Sequence, residues 1–308
     1  SVTAFAPATV SNVACGFDVL GFALHEPGDW VTARLIDHGV QIEDIEGDGG
    51  RIPRQAEKNT AGVAVMTLLK TLGETRGVSL RIRKGLPLSS GLGGSAASAA
   101  AAVVAADALL GARASKETLV SCALEGERLG AGSAHGDNIA PCVLGGFVLV
   151  RSAWPPDIVR LPVPQGLTAV VVHPDLEIET AKARALLGTT VGLKDAVQQW
   201  ANLGAFIHSL HTSDFALMSR ALVDTIAEPR RAPLVPGLAA IKQAAVEAGA
   251  LGASLSGSGP SLFALCADRP TADRVAEAMT ATVRAQIGGE PQTWIAQVAD
   301  QGARVVAS

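Results

Sequence analysis

Residues 85–98 read Gly85-Leu86-Pro87-Leu88-Ser89-Ser90-Gly91-Leu92-Gly93-Gly94-Ser95-Ala96-Ala97-Ser98, and the fold is decided there. An alternating apolar run, Val78-Leu80-Ile82, precedes the stretch and predicts a strand. A segment from Gly94 to Leu110, mostly alanine, follows it and predicts a helix that is apolar on nearly all sides and therefore buried. Glycine lets a backbone approach a ligand closely, and a helix start offers four N–H groups without intrahelical partners beside the positive end of the helix dipole. A phosphate fits such a turn. Two other readings stay open: a tight strand-to-helix turn with no ligand, and a dinucleotide-binding turn, for which Gly91-x-Gly93-x-x-Ala96 satisfies the looser fingerprint. The dinucleotide reading lacks an acidic residue ending a second strand about 20 residues on. The Gly-Lys-Ser/Thr of P-loop nucleoside triphosphatases is missing as well. Ser89, Ser90, Ser95 and Ser98 crowd the turn with hydroxyls that can bond phosphate oxygens or ligate Mg²⁺.

Working outward, a chain of 308 residues has room for two domains of ordinary size, and 48% apolar against 18% charged residues predicts packed cores. A net charge of −4 gives no bulk attraction for nucleic acid or an anionic membrane, so a polyanion needs a locally built site. The nearest approach to a membrane span, Ala96 to Leu110, is short and carries Asp107. Ser1 to Val10 has no basic segment followed by an apolar one, and Cys15, Cys122, Cys142 and Cys266 form no C-x-x-C pair. The expectation is a cytoplasmic protein with buried thiols. With no tyrosine in the chain, a tyrosyl acid or base is excluded.

Strands are also expected over Val2-Ala4-Ala6, Gly145 to Val150, Thr168 to Val172, Leu251 to Leu255 and Leu262 to Cys266. Helices are expected over Asn59 to Leu72, Lys116 to Leu129 with Ser115 as N-cap, Leu193 to Leu210, Ser213 to Ile226 and Gly237 to Ala248. Prolines concentrate in Trp154-Pro155-Pro156 and Pro162 to Gly166, which places the expected linker there and the expected domains at 1–153 and 154–308.

Pro87 to Ala97 resembles the P-x-x-x-G-L-G-S-S-A-A phosphate loop of the GHMP small-molecule kinases, with Gly94 standing where the first loop serine is usual. Ala6-Pro7-Ala8-Thr9-Val10-Ser11-Asn12-Val13-Ala14-Cys15-Gly16-Phe17-Asp18-Val19-Leu20-Gly21 is similar to that family's N-terminal motif, and Gly252 to Ser261 to its third. Three motifs in family order, spread over most of the chain, identify it as a member. Gly16-Phe17-Asp18, His135-Gly136-Asp137-Asn138-Ile139-Ala140-Pro141, Thr180-Ala181-Lys182-Ala183-Arg184 and Glu228-Pro229-Arg230-Arg231 followed by Leu234-Val235-Pro236-Gly237 resemble the branch that phosphorylates L-homoserine.

The resemblance implies an α+β fold of two domains: an N-terminal nucleotide-binding α/β domain of the ribosomal-protein type, and a C-terminal ferredoxin-like α/β sandwich that completes the substrate site. It implies ATP and Mg²⁺ as cofactors, L-homoserine as substrate, and a homodimer. Asn12, Asp18, His135, Asn138, Arg184 and Arg231 are the implied substrate residues, a carboxylate suiting an ammonium group and guanidinium forks suiting a carboxylate. Arg230 is the weaker of the adjacent arginines, because the pattern places the functional one third after Glu228. Ser95 and Glu127 are the implied Mg²⁺ ligands, with Glu125 on another face of the helix. The nucleotide is expected along Pro87, Leu88, Ser89, Ser90, Gly91, Leu92, Gly93, Gly94 and Ser95. Ser256, Gly257 and Gly259 would buttress the loop, and Asn59 would contact adenine, cap a helix, or do both. The implied catalytic set is Asn138, Ser95 and Glu127. An amide is a poor base, so Asn138 is expected to orient the hydroxyl while the proton passes to the γ-phosphate, and Asp137 is the base candidate to exclude. Two alternatives stand beside this: a GHMP kinase acting on another small alcohol such as mevalonate, and a non-catalytic nucleotide-binding protein.

Overall fold

The computed structural model describes residues 1–131 and 134–307, the side chains of 129–131 excepted. Strand β1 (Val2–Ser11) pairs antiparallel with the 17-residue β2 (Leu20–Ile36), and β2 with β4 (Gly77–Arg83), which runs parallel to β3 (Val40–Glu46). Strand β5 (Phe147–Ala153) joins the start of β2, β6 (Pro156–Leu161) pairs with β5, and β11 (Arg304–Ala307) returns to the edge of β1. These make one seven-stranded sheet. A second, antiparallel sheet has the order β10 (Gln292–Gln297), β7 (Thr168–His173), β9 (Leu262–Cys266), β8 (Gly252–Leu255).

The alanine helix α2 (Gly94–Leu109) lies on β1 and β2 and packs against both α1 (Thr60–Leu72) and α3 (Lys116–Ala131), which also pack on each other. Neighbours on every side explain its composition: small side chains let a sheet and two helices close on one axis, and enlarging them would cost about 1–3 kcal/mol apiece in overpacking. Alternation along β7 and β9 serves two cores at once. Ala169, Val171, Phe263 and Leu265 face the larger core, while Val170, Val172, Leu262 and Ala264 face the layer of α9 (Leu238–Glu247) and α10 (Arg269–Gln286). Phe263 meets Phe22 at 6.0 Å between ring centroids, Phe22 meets Phe147 at 4.7 Å, and Phe147 meets Phe206 at 5.9 Å. An aromatic chain thus joins the two sheets through one interior.

Two expectations change, and one helix forms where none was expected. Trp154 and Pro155 form the turn of the β5–β6 hairpin inside the first sheet and Pro156 opens β6, so a division at 153/154 cuts through a hairpin; the chain crosses to the second sheet over 162–167. Helix α4 (Gly136–Leu144) carries Pro141 in its interior. Proline cannot donate to the carbonyl four residues back, that of Asp137, and β2 passes so close to this carbonyl that a Cβ on Gly21 would lie 1.8 Å from its oxygen. The helix predicted over Ser213 to Ile226 is only α7 (Phe215–Ala221). Asp224 ends the helical run by accepting from the N–H groups of Ile226 at 2.8 Å and Ala227 at 2.9 Å through Oδ1, and of Glu228 at 2.8 Å through Oδ2. That carboxylate cradle turns the chain into α8 (Glu228–Arg231). The four cysteines are buried thiols, and burial pushes Cys15 and Cys266 up to about 12. Among the described residues no helix is long and apolar enough to cross a membrane.

Candidate active site

Between the ends of the two sheets lies a cavity of about 690 Å³. At one end is the glycine loop. Gly93 takes a left-handed conformation (φ 68°) as the N-cap of α2, and a Cβ there would sit 2.2 Å from Thr9 Oγ1. Gly91 is left-handed too (φ 77°), and its Cβ would lie 2.4 Å from the Ser256 carbonyl oxygen. The loop is clamped through its carbonyls. The Thr9 N–H donates to Leu92 at 3.1 Å, the Ser261 N–H to Ser90 at 3.2 Å, and Ser256 Oγ to Gly91 at 2.7 Å. Helix α2 starts there, with the positive end of its dipole at the loop.

Beneath the loop is a buried charge network. Asp29 on β2 accepts from the N–H groups of Gly85 and Leu86 at 2.9 and 3.3 Å, from Ser98 Oγ at 2.8 Å, and from Lys84 Nζ. Lys84 Nζ also donates to the Gly94 carbonyl at 2.7 Å and to Ser98 Oγ at 2.9 Å. Beside it, Ser95 Oγ donates to Glu127 at 2.9 Å. Burial pushes Glu127 up to about 7, the Ser95 hydrogen bond and the Lys84 charge pulling it back. Glu125, by contrast, pairs at the surface with Arg128.

Charged side chains from distant segments make the other end. Loop 12–18 holds Asn12, Val13, Ala14 and Asp18 at positive φ, a strained run fixed by Asn12, whose Oδ1 accepts from the Asp18 N–H at 3.0 Å and whose Nδ2 donates to Gly257 at 2.9 Å. Arg184, on α5 (Thr180–Ala185), makes a bidentate pair with Asp18 at 2.6 and 3.0 Å and approaches His135 Nδ1 at 3.3 Å. Burial and the Arg184 charge hold His135 below its ordinary value. Arg231 is buried on α8 and donates to the Gly257 carbonyl at 2.9 Å. It is placed by Glu228, whose carboxylate accepts from the Leu255 N–H at 3.0 Å, from Ser254 Oγ and from Lys242 Nζ. Arg230 points away, to the Thr190 carbonyl at 3.0 Å. Asp137 accepts from the Asn12 N–H at 3.3 Å through Oδ2, while its buried Oδ1 has no hydrogen-bond partner among the described residues. Burial, then the Asp18 charge, pushes it up to about 7. Ligand atoms of Asp18, His135 and Asp137 lie within 4.8 Å of one another. Between the two ends stands Asn138, whose Oδ1 accepts from Thr9 Oγ1 at 2.9 Å.

Residues 59–146 match the family described as GHMP kinases N terminal domain, and residues 203–285 the family described as GHMP kinases C terminal. The chain is 49% identical to a homoserine kinase of Chlorobium phaeobacteroides, over 99% of each chain. It is 44% identical to a homoserine kinase of Xylella fastidiosa, over 98% of this chain and 93% of that one. The crystal structure of homoserine kinase from Cytophaga hutchinsonii superposes with a TM-score of 0.96 at 47% identity, over 99% and 97% of the two chains. The chain belongs to the homoserine kinases of the GHMP family.

Against this GHMP kinase fold, the expected site residues sort into groups. Pro87, Leu88, Ser89, Ser90, Gly91, Gly93, Gly94, Ser95, Glu127, Asn138 and Gly257 line the cavity, as do Asp18, His135, Arg184 and Arg231. Leu92 does not; its side chain fills the core. Ser256 supports Gly91 from behind. Asn59 reaches the cavity wall, but Oδ1 caps α1 at Ala61 (3.0 Å) and Gly62 (3.3 Å) and Nδ2 donates to Pro53 at 2.8 Å. Ser98 and Asn12 likewise have their polar groups committed to the protein. No motif in the sequence marks Asp29 and Lys84. They lie 55 positions apart and meet because β2 and β4 pair with Trp30 opposite Arg83, which sets them in adjoining positions.

Proposed function

We propose that this chain transfers the γ-phosphoryl group of ATP to the side-chain hydroxyl of L-homoserine, releasing ADP and O-phospho-L-homoserine, a step of threonine biosynthesis. One observation carries the reading: a single cavity has a glycine loop on a helix start at one end and, at the other, two guanidiniums and two carboxylates that match an amino-acid zwitterion. Relatives named homoserine kinases that span essentially the whole chain support it. A substrate such as mevalonate, without an ammonium group, would leave Asp137 without a cation to receive.

In this reading Arg184 and Arg231 hold the α-carboxylate. Asp18 is already paired with Arg184, so Asp137, through its unpartnered Oδ1, is the principal counter-charge to the ammonium group. Thr9 fixes the amide of Asn138, which presents its NH₂ to the substrate hydroxyl and leaves the proton to pass to the γ-phosphate. Phosphoryl transfer tolerates this because its loose transition state asks chiefly for alignment and charge neutralisation. Asp137 sits with Asp18 and His135 at the amino-acid end, in keeping with a binding role and against that of a base. Ser95 and Glu127 fit a Mg²⁺ ion, since a hydroxyl and a buried carboxylate, both hard oxygen donors, converge beside the loop. Bound there, the ion supplies neutralisation of charge on the phosphate oxygens. The same reading takes the protein to be a cytoplasmic homodimer, for which sedimentation gives the mass.

ADP release with Mg-ATP, measured against L-homoserine, mevalonate and galactose, tests the substrate. Stimulation by homoserine alone is expected; none by homoserine overturns the proposal. Asn138→Ala should lower turnover and keep the basic limb of the pH profile, whereas loss of a carboxylate pKa in Asp137→Asn turnover would make Asp137 the base.

A further inference from the structure

The geometry points to Phe17 as a positioning residue that sets the Arg184 and Arg231 guanidiniums side by side for a substrate α-carboxylate. The inference rests on the reading above and adds to it the group that makes the site selective for an acid.

Arg184 and Arg231 come from separate elements, α5 and α8, and each must hold a positive charge close to the other. Burial and the Arg184 charge both push the Arg231 guanidinium down from its ordinary value. Their polar partners differ. Arg184 has the Asp18 carboxylate, whereas Arg231 has the carbonyls of Gly257 at 2.9 Å and Ala183 at 3.4 Å. The surface they share is the ring of Phe17, whose centroid lies 5.5 Å from Arg184 Cζ and 5.4 Å from Arg231 Cζ. Both distances are within the range in which a ring's negative face attracts a cation.

Phe17 belongs to the strained loop 12–18, which Asn12 ties to Gly257, the residue whose carbonyl takes Arg231. The same loop therefore supplies Asp18 to one arginine and the ring to both. Both arginines line the cavity, and Phe17 lies behind them, outside its lining. A flat apolar ring fixes a guanidinium without consuming its N–H groups, which leaves those not already engaged by Asp18, Ala183 and Gly257 to a planar carboxylate. An aliphatic side chain in that place would fill the volume and orient neither.

Replacing Phe17 by pentafluorophenylalanine reverses the charge on the ring face and keeps its shape. KM for L-homoserine should rise about tenfold, with kcat and KM for ATP unchanged. Phe17→Leu should do the same, and Phe17→Trp should restore the wild-type KM. The preference for L-homoserine over 2-aminobutane-1,4-diol, which lacks the carboxylate, should fall in the fluorinated and Leu variants. A fluorinated protein with wild-type KM for homoserine overturns the inference, and so does an equal rise in KM for ATP, which would mark Phe17 as mere support for the loop. Wild-type protein without homoserine-dependent ADP release would instead fell the proposed function itself.

Discussion

The two ends of the cavity are built in opposite ways. The loop end, where the proposed function puts the phosphates, is contiguous: residues 85–98 form it, mostly through backbone, and its charged members Asp29, Lys84 and Glu127 lie underneath, buried and paired or hydrogen-bonded. The other end, where the proposed function puts the amino acid, is assembled from loop 12–18, α4, α5 and α8, whose side chains meet only in the folded chain. A phosphate asks for many donors at close range, which one turn of backbone provides. A zwitterion asks for opposite charges a few ångströms apart, and no short segment can present them without their pairing with each other.

The largest effect that could break this contrast is at the phosphate end. Glu127→Gln keeps a partner for Ser95 but removes the charge, so kcat should fall about 100- to 1,000-fold in single-turnover measurements while KM for homoserine stays. An unchanged kcat would mean that this end only binds. Arg184→Lys loses a fork to both Asp18 and the substrate carboxylate, and KM for homoserine should rise roughly tenfold or more with KM for ATP unmoved. A parallel rise in both would show that the ends are not separable. Neighbouring glycines sharpen the comparison within the loop. Gly93→Ala forces a Cβ against Thr9 at positive φ and should cost about 1–3 kcal/mol in urea unfolding. Gly94→Ala, whose nearest neighbour would be Lys84 Nζ at 3.6 Å, should stay within about 0.5 kcal/mol. The departure from the usual loop serine at Gly94 is therefore not forced by space.

The smallest effect is a pH dependence. Asp137 rises on folding from 3.8 to about 7, so its protonated form, neutral in the interior, is the one that folding favours. Below 3.8 both states hold the proton and the group is neutral in its effect. As pH rises from there to about 7 the unfolded chain gives up its proton first, and stability falls across that window and stays lowered above it. Thermal unfolding of Asp137→Asn should lack this part of the slope. In the intact protein KM for homoserine should drop as pH passes about 7, where Asp137, the proposed counter-charge to the ammonium group, becomes charged.

The helices that the sequence announces most clearly are those with a start signal and a run of formers, and α1, α2 and α3 begin within a residue of their expected starts. Helix α10 carries comparable signals in Asp268, whose side chain accepts from the Thr271 N–H at 2.8 Å, and in Pro270 in the first turn, but stands apart from every motif. Helix α4 was hidden because Pro141 reads as a breaker, and only the approach of β2 shows how the freed carbonyl is accommodated.

By itself the sequence determined the loop and the buried alanine helix after it, because backbone conformation at glycine and helix starts is a local matter. It also separated Glu127 from Glu125 and Arg231 from Arg230, which helix periodicity and motif spacing can do. Tertiary structure alone decided that Asp18 and Arg184 neutralise each other, that Asp29 and Lys84 lie under the loop, and that Phe17 stands behind two guanidiniums. Those facts depend on strand register and on contacts between segments more than a hundred residues apart, where a lower dielectric strengthens the attraction between paired charges.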